Sequence, residues 1–315
     1  MTRAFIFPGQ GSQAVGMGKA LAEAFAPARD VFEEVDDALS QKLSRLMWEG
    51  PESELTLTEN AQPAIMAASL AIVRVLQKDA GLDVARHARI VAGHSLGEYS
   101  ALAAAGSFTL SDAARLLKAR GQAMQAAVPV GEGGMSALLG AEIEQAEALA
   151  KECAEAGGGV CVVANDNAPG QIVISGAKAA IDKAADLAKA KGIKRAMTLN
   201  VSAPFHSPLM QPAADKMREA LAAVTIRPPA APVVANVTAA EIMEPETIRR
   251  LLVEQITGRV RWRESVLRFR ALDVGTTVEF GGAKVLTGMV KRIDKELQTV
   301  TLDTPADIEA FAKTL

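Results

Sequence analysis

The pentapeptide Gly93-His94-Ser95-Leu96-Gly97 is the strongest chemical signal in the sequence. It is a G-x-S-x-G pattern between an apolar run, Ile90-Val91-Ala92, and a stretch of small and apolar residues from Leu96 to Ala105. A strand, a sharp turn and a helix in that order lift a serine oxygen out at a helix N-terminus. There, free N–H groups and the helix dipole can stabilise an oxyanion. The competing reading is a turn of small residues needed only for close helix–sheet packing.

A serine nucleophile needs a base, and the chain offers three histidines. His87 lies in a charged stretch, Asp83 to Arg89, and reads as solvated. His94 adjoins Ser95, and neighbours on a tight turn point apart. His206 sits in Ser202-Ala203-Pro204-Phe205-His206-Ser207-Pro208, where two prolines stiffen the loop, and it is the base favoured by elimination. No acidic third member stands out: Glu98 and Asp112 both read as solvated charges at helix starts. An orienting carbonyl would serve equally, because the task is to fix the imidazole tautomer.

Arg120 falls in a helical segment, Ser111 to Val128, whose polar face carries Ser111, Asp112, Arg115, Lys118 and Gln122. It lies instead beside the apolar face, four residues after Leu116 and four before Met124. A guanidinium there is either a structural ion pair or a bidentate clamp for a substrate carboxylate. Gly9-Gln10-Gly11-Ser12-Gln13-Ala14, with Asp30 some way downstream, loosely fits a dinucleotide-binding turn, and the signal is weak. Gly281-Gly282-Ala283-Lys284 fails the phosphate-loop spacing.

These residues need a scaffold, and the pattern alternates between strand and helix along the whole chain, which predicts an α/β fold. Ala4-Phe5-Ile6-Phe7 is a buried strand that ends at Pro8, Ala61 to Gln77 a long helix, and Val233 to Ala235 and Val278 to Phe280 later strands. From Met135 to Leu199 the order is β-α-β-β-α-β, with helices over Ala141–Ala156 and Lys178–Lys191. That order is ferredoxin-like. The expected organisation is a large α/β domain, residues 1–130 and 199–315, carrying an inserted small subdomain, residues 131–198.

Composition narrows the class further. The 315 residues are 49% hydrophobic and 23% charged, with mean hydropathy +0.14, an ordinary globular mix. Lysines and arginines number 34 against 37 acidic residues, so the net charge is −3 and the pI about 5.8. A nucleic-acid binder would carry a basic excess. No apolar run reaches the roughly 18 residues that span a bilayer, and the apolar start is too short for a signal peptide. Cys153 and Cys161 make neither a disulfide framework nor, without clustered histidines, a metal site. The expectation is a cytoplasmic protein, a monomer, without nucleic-acid or membrane partners.

Four segments occur together and in order: Phe7-Pro8-Gly9-Gln10-Gly11-Ser12-Gln13, Gly93-His94-Ser95-Leu96-Gly97-Glu98-Tyr99, Arg120-Gly121, and Pro204-Phe205-His206-Ser207. In this combination the chain resembles the bacterial malonyl-CoA:acyl-carrier-protein transacylases along essentially its whole length. The resemblance implies a hydrolase-like α/β domain with a ferredoxin-like insertion. It also implies Ser95 as acylated nucleophile, His206 as base, and the backbone N–H groups of Gln10 and Leu96 as the oxyanion hole. Arg120 would clamp the malonyl carboxylate, and Gln255 would orient the histidine through an unspecified oxygen. Asn165 and Phe205 would line the acyl pocket. Malonyl-CoA and an acyl carrier protein are the implied partners, with no metal or redox cofactor beyond the CoA thioester substrate. One departure is the late turn Phe280-Gly281-Gly282-Ala283-Lys284, which lacks the family's usual proline and puts its local geometry in question. A serine thioesterase or esterase, a nicotinamide-dependent oxidoreductase and a non-catalytic carrier-binding module are the competing readings. Lys191, Lys194, Arg195, Lys291 and Arg292 form a candidate basic patch for an acidic carrier.

Overall fold

A computed structural model describes residues 2–201 and 203–315, so Ser202 of the proline-flanked segment lies outside the described residues. Its larger sheet is built from β1 (Arg3–Phe7), β2 (Ile90–Gly93), β7 (Val233–Val234), β8 (Glu241–Ile242), β9 (Thr276–Phe280) and β10 (Gln298–Leu302). Its smaller sheet is built from β3 (Gly133–Leu139), β4 (Cys161–Ala168), β5 (Gln171–Ala177) and β6 (Arg195–Thr198).

The larger sheet runs β10-β9-β1-β2-β7-β8, and all its pairings are parallel except β7 with β8. Central parallel strands are covered on both faces, so they read as continuous apolar runs. Alternation assigns the faces. Phe5 and Phe7 pack with Phe280 at centroid distances of 5.0 and 5.2 Å, under the helices Thr58–Asp79 and Leu110–Ala126. Ala4 and Ile6 face the other way, toward Trp262, Val266 and Phe269.

The smaller sheet is antiparallel in the order β4-β5-β3-β6, the ferredoxin-like arrangement. It has its own apolar core, in which Leu138, Ile172 and Ile174 meet Leu149, Cys153 and Ile181. The helix expected over Lys178–Lys191 is two helices, Lys178–Ile181 and Ala184–Ala190. Between them the N–H of Lys183 bonds the carbonyl of Ala180 at 3.1 Å, a tighter turn than the α-helical one. The fold is thus α/β, a hydrolase-like large sheet with a ferredoxin-like insertion.

Two contacts matter for the site. The end of β4 is sewn to the large sheet's side: Val260 N–H bonds Ala164 O at 2.8 Å, Asp166 N–H bonds Val260 O at 3.0 Å, and Arg263 grips buried Asp166. This brings Asn165 and Asn167 over the end of β2. The second is the packing of the helix Leu96–Ala104 on β1. A Cβ on Gly97 would lie 2.2 Å from the carbonyl oxygen of Phe7 and 2.8 Å from that of Pro8. Gly97→Ala should therefore cost roughly 1–3 kcal/mol or more. Gly288 sits exposed in the helix Val285–Ile293 with open space at its Cβ, and Gly288→Ala should stabilise by roughly 0.5–1 kcal/mol. Urea unfolding of both variants checks this; equal midpoints would mean that the helix–strand approach is not tight.

Candidate active site

The carboxyl ends of β1, β2, β7 and β9 converge, and the loops that leave them build the site, as expected of open parallel sheets. Ser95 follows β2 with φ 53° and ψ −111°, a strained backbone for a residue with a side chain. Its N–H is held by the Asn236 side-chain oxygen at 2.7 Å, and the Asn236 Nδ2 donates to the Gly93 carbonyl at 2.6 Å. The Ser95 amide is thereby occupied. Leu96 is the first helical residue, so its N–H has no partner within the helix. Gln10 leaves β1 across the loop, its side-chain oxygen accepting a hydrogen bond from Thr58 Oγ1 at 3.0 Å.

His206 is 4% exposed, with φ 56°. Its Nε2 lies 2.8 Å from Ser95 Oγ, and its Nδ1 lies 2.9 Å from the backbone carbonyl of Gln255. A carbonyl can only accept, so Nδ1 carries the proton and Nε2 is free to accept from the serine hydroxyl. Burial, and next the Arg120 cation, push the His206 imidazole down to about 3. The ring is therefore neutral and ready to take a proton. His94 points elsewhere, its Nε2 lying 2.7 Å from Asn167 Oδ1 across the subdomain seam. His87 is half-buried, accepting the Asp83 N–H at 2.9 Å.

Arg120 is 1% exposed. A Cβ on its neighbour Gly121 would lie 2.5 Å from Glu59 Cα, so two helices approach closely here and bring the guanidinium to Gln62. Its Nη1 donates to Gln62 Oε1 at 2.8 Å, and its Nη2 to Gln255 Oε1 at 2.9 Å and Ser95 Oγ at 3.1 Å. The Tyr99 ring lies 5.7 Å beneath it. All three oxygens are neutral, so among the described residues the structural ion pair is not what holds this cation. Burial lowers its affinity for the proton, yet a guanidinium stays charged at any ordinary pH.

Glu98 corrects the sequence reading. It is not solvated but 1% exposed, because the helix after Ser95 is packed between the sheet and other helices. Its Oε2 accepts the Asn236 N–H at 3.0 Å and the Gln255 Nε2 at 2.7 Å, and burial pushes its carboxyl up to about 7. Asp112 remains at its helix start, bonded to Thr109.

A cavity of about 390 Å³ opens onto these groups, lined by Gln10, His94, Ser95, Asn165, Phe205 and His206. Its apolar wall comes from both sheets' surroundings: Met135, Val173, Leu199 and Val201, and opposite them Val285, Leu286 and Met289. Leu96, Arg120 and Gln255 are packed beside Ser95 and His206, none more than 1% exposed. The helix carrying Val285 follows the turn that lacks a proline. Gly281, Gly282, Ala283 and Lys284 have φ of 82°, 86°, 50° and 66°, a path closed to proline, whose φ is fixed near −65°. Of the basic patch, Lys191 is paired with Glu152 at 2.6 Å, while Lys194, Arg195, Lys291 and Arg292 are exposed. Asn236, Gln62 and Tyr99 were not singled out from the sequence. Each is a lone polar residue at a strand end or within a helix, and only the fold brings it to the site.

Fold and site together define a serine–histidine nucleophile at a strand-turn-helix elbow of an α/β scaffold, backed by a buried cation. The chain belongs to the acyl transferase domain family, whose model matches residues 4–302. It is 45% identical over 312 residues to the malonyl CoA-acyl carrier protein transacylase of Bacillus subtilis, covering 99% of this chain and 96% of that one. Among solved structures, the acyl-carrier-protein S-malonyltransferase of Bartonella henselae superposes with a TM-score of 0.97 at 54% identity, covering 100% of this chain and 99% of that one. A malonyl-transacylase in complex with its type II PKS acyl-carrier protein superposes with a TM-score of 0.95 at 42% identity, both chains fully covered.

A serine-directed sulfonyl fluoride should modify Ser95, and His206→Ala should slow that modification by roughly 10²–10⁴. Because His206 is neutral down to about 3, the wild-type rate should show no inflection at the ordinary histidine value of about 6.5. A larger loss in His94→Ala than in His206→Ala would show that the wrong ring had been chosen.

Proposed function

We propose that this chain transfers a malonyl group from malonyl-CoA to the phosphopantetheine thiol of an acyl carrier protein through an ester on Ser95. The observation that carries the reading is Arg120, a buried cation 3.1 Å from Ser95 Oγ. An acyl group carried on that oxygen projects its far end toward the guanidinium, and a carboxylate is the group that end should bear. The named activities of the relatives support the same substrate, and the carrier-protein complex of one of them supports the same acceptor.

The steps follow from the hydrogen bonds. His206 Nε2 takes the Ser95 proton as Oγ attacks the thioester carbonyl, while the Gln255 carbonyl holds Nδ1–H and stabilises the imidazolium. The oxyanion rests on the N–H groups of Gln10 and Leu96. The tetrahedral species collapses, the carbon–sulfur bond breaks, and the imidazolium returns its proton to the departing CoA sulfur. In the second half the carrier thiol gives its proton to His206, its sulfur attacks the Ser95 ester, and Ser95 leaves with that proton. Asn165 and Phe205 line the chamber for the acyl group and the pantetheine arm.

Malonyl-CoA should add one malonyl group to the wild type and none to Ser95→Ala, as read by intact-protein mass spectrometry. A bidentate contact to the carboxylate is worth roughly 1.5–3 kcal/mol, about one to two powers of ten in selectivity. The preference in kcat/KM for malonyl-CoA over acetyl-CoA should therefore fall from wild type to Arg120→Lys to Arg120→Ala. An unchanged ratio in folded Arg120→Ala would reject the clamp. Free malonate released as fast as the enzyme is acylated, with or without carrier thiol, would make this a thioesterase instead.

A further inference from the structure

A cation withdrawn from water needs an anion, and among the described residues Arg120 touches none. Its partners, Gln62 Oε1, Gln255 Oε1 and Ser95 Oγ, are neutral. The carboxylate whose field reaches it is Glu98, buried on the helix behind Ser95. Between the two stands one side-chain amide. Gln255 turns its Oε1 to Arg120 at 2.9 Å and its Nε2 to Glu98 Oε2 at 2.7 Å. The reverse rotamer would set an NH₂ against the guanidinium and an oxygen against the carboxylate, so the two charges lock the amide in one sense. The amide dipole is thus aligned from anion to cation.

We propose that Glu98 is a positioning residue for acyl selectivity. Its carboxylate supplies the counter-charge of Arg120 through the Gln255 amide, which keeps the guanidinium buried and charged while leaving its fork free of a competing carboxylate. A direct ion pair would satisfy Arg120 equally well and would have to be broken by every incoming substrate. Holding the anion one amide away avoids that competition. This inference rests on the reading that Arg120 receives the malonyl carboxylate.

Selectivity should then follow the distance between the guanidinium and the counter-charge. In Glu98→Gln the side-chain oxygen keeps both bonds, from Asn236 and Gln255, while the new NH₂ takes the place of Oε1, which has no partner among the described residues. The shape persists and the charge is gone. The malonyl-over-acetyl ratio of kcat/KM should rise by about fivefold or more, the low end of usual couplings between sites. The double variant Glu98→Gln with Gln255→Glu sets the charge directly on Arg120, at the cost of the bonds that Gln255 Nε2 donates to Ser95 O at 3.0 Å and to Glu98 Oε2. Its ratio should fall below wild type by about tenfold or more.

The wild type offers the same test through pH. Burial raises the Glu98 carboxyl to about 7, opposed by the bonds from Asn236 and Gln255 and by the Arg120 charge. Among the other titratable groups that face this cluster, Arg120, Tyr99 and His206 hold one state between about pH 6 and 8. Arg120 on the neighbouring helix is a cation. Tyr99 on the same helix is neutral, pushed well up by burial, and His206 is neutral, pushed down by burial; His94, held below its ordinary value by burial, is bonded to Asn167 and not to this cluster. As pH falls through about 7, Glu98 gains a proton and loses its charge, so the wild-type ratio should rise toward that of Glu98→Gln, which should itself stay flat.

The experiment measures both thioesters on wild type, Glu98→Gln and the double variant across that pH range. A ratio that Glu98→Gln leaves unchanged or lowers, with a wild type that prefers malonyl, overturns the proposal alone. A wild type without malonyl preference overturns the functional reading as well. If Glu98→Gln does not fold, the wild-type pH series decides: a ratio flat through neutrality rejects the role of the Glu98 charge.

Discussion

The approach of the helix Leu96–Ala104 to the end of β1 is the constraint on which the rest of the site depends. At Gly97 the two backbones are so near that no side chain fits between the helix and the carbonyls of Phe7 and Pro8. That proximity sets the Leu96 N–H and the loop carrying Gln10 around the same point in space. It also forces the turn between β2 and the helix into two residues, His94 and Ser95, the second with a positive φ. The strain is retained because the Asn236 side chain ties the Ser95 N–H and the Gly93 carbonyl from the far side. A nucleophile held by packing on one side and hydrogen bonds on the other needs little reorganisation when it reacts.

Behind this elbow the molecule buries an arginine, a glutamate and a histidine, with a second histidine, His94, half-buried beside them, and it manages them with amides. The side chains of Gln62, Gln255, Asn236 and Asn167 each hold one of these groups or the serine itself. A side-chain amide both donates and accepts, so it can satisfy a charge without cancelling it. The histidine's third partner follows the same economy. A carboxylate on His206 Nδ1 would compete for Arg120 at close range, whereas the Gln255 backbone carbonyl fixes the tautomer and carries no net charge. The Gln255 residue thus serves the base through its backbone and the cation through its side chain.

Much of this was legible in the sequence, and the limits have physical causes. The apolar runs at Ala4–Phe7 and Ile90–Ala92 are strands of the large sheet, because a doubly covered parallel strand is apolar on both faces; Val278–Phe280 is another, although it buries Glu279, whose carboxylate is held by the N–H groups of Leu286 and Thr287. Ser95 was legible since its turn leaves a local pattern of glycines, and His206 since so few alternatives exist. Arg120 stood out by sitting beside an apolar stripe. Glu98 was misread because a carboxylate in the first turn of a helix is ordinarily solvated; its burial arises from helices distant in sequence. Asn236 and Gln62 leave no local pattern at all. The choice between backbone and side chain of Gln255 turns on where Thr257 and its helix end relative to the His206 loop, which no spacing encodes. The unusual turn at Gly281–Lys284 was visible as a missing proline, yet its run of positive φ is seen only in the fold.

A histidine kept neutral down to about 3 is a weak base, and the causes of its weakness explain how it can still serve. Burial is the larger cause and is constant through the reaction. The Arg120 cation is the second, and it depends on what is bound. On the proposed reading, an anionic acyl group placed on Arg120 offsets the field that disfavours the imidazolium, so the base strengthens when the malonyl carboxylate arrives. A neutral acyl group leaves the field in place, and the same proton transfer becomes harder. Recognition of the carboxylate therefore acts twice, once in binding and once in the basicity of His206. The second effect appears in the transition state, where the imidazolium forms, and only interactions stronger there than in the bound substrate raise the turnover rate. One buried guanidinium, 3.1 Å from the nucleophile, thereby connects the identity of the acyl group to the chemistry performed on it.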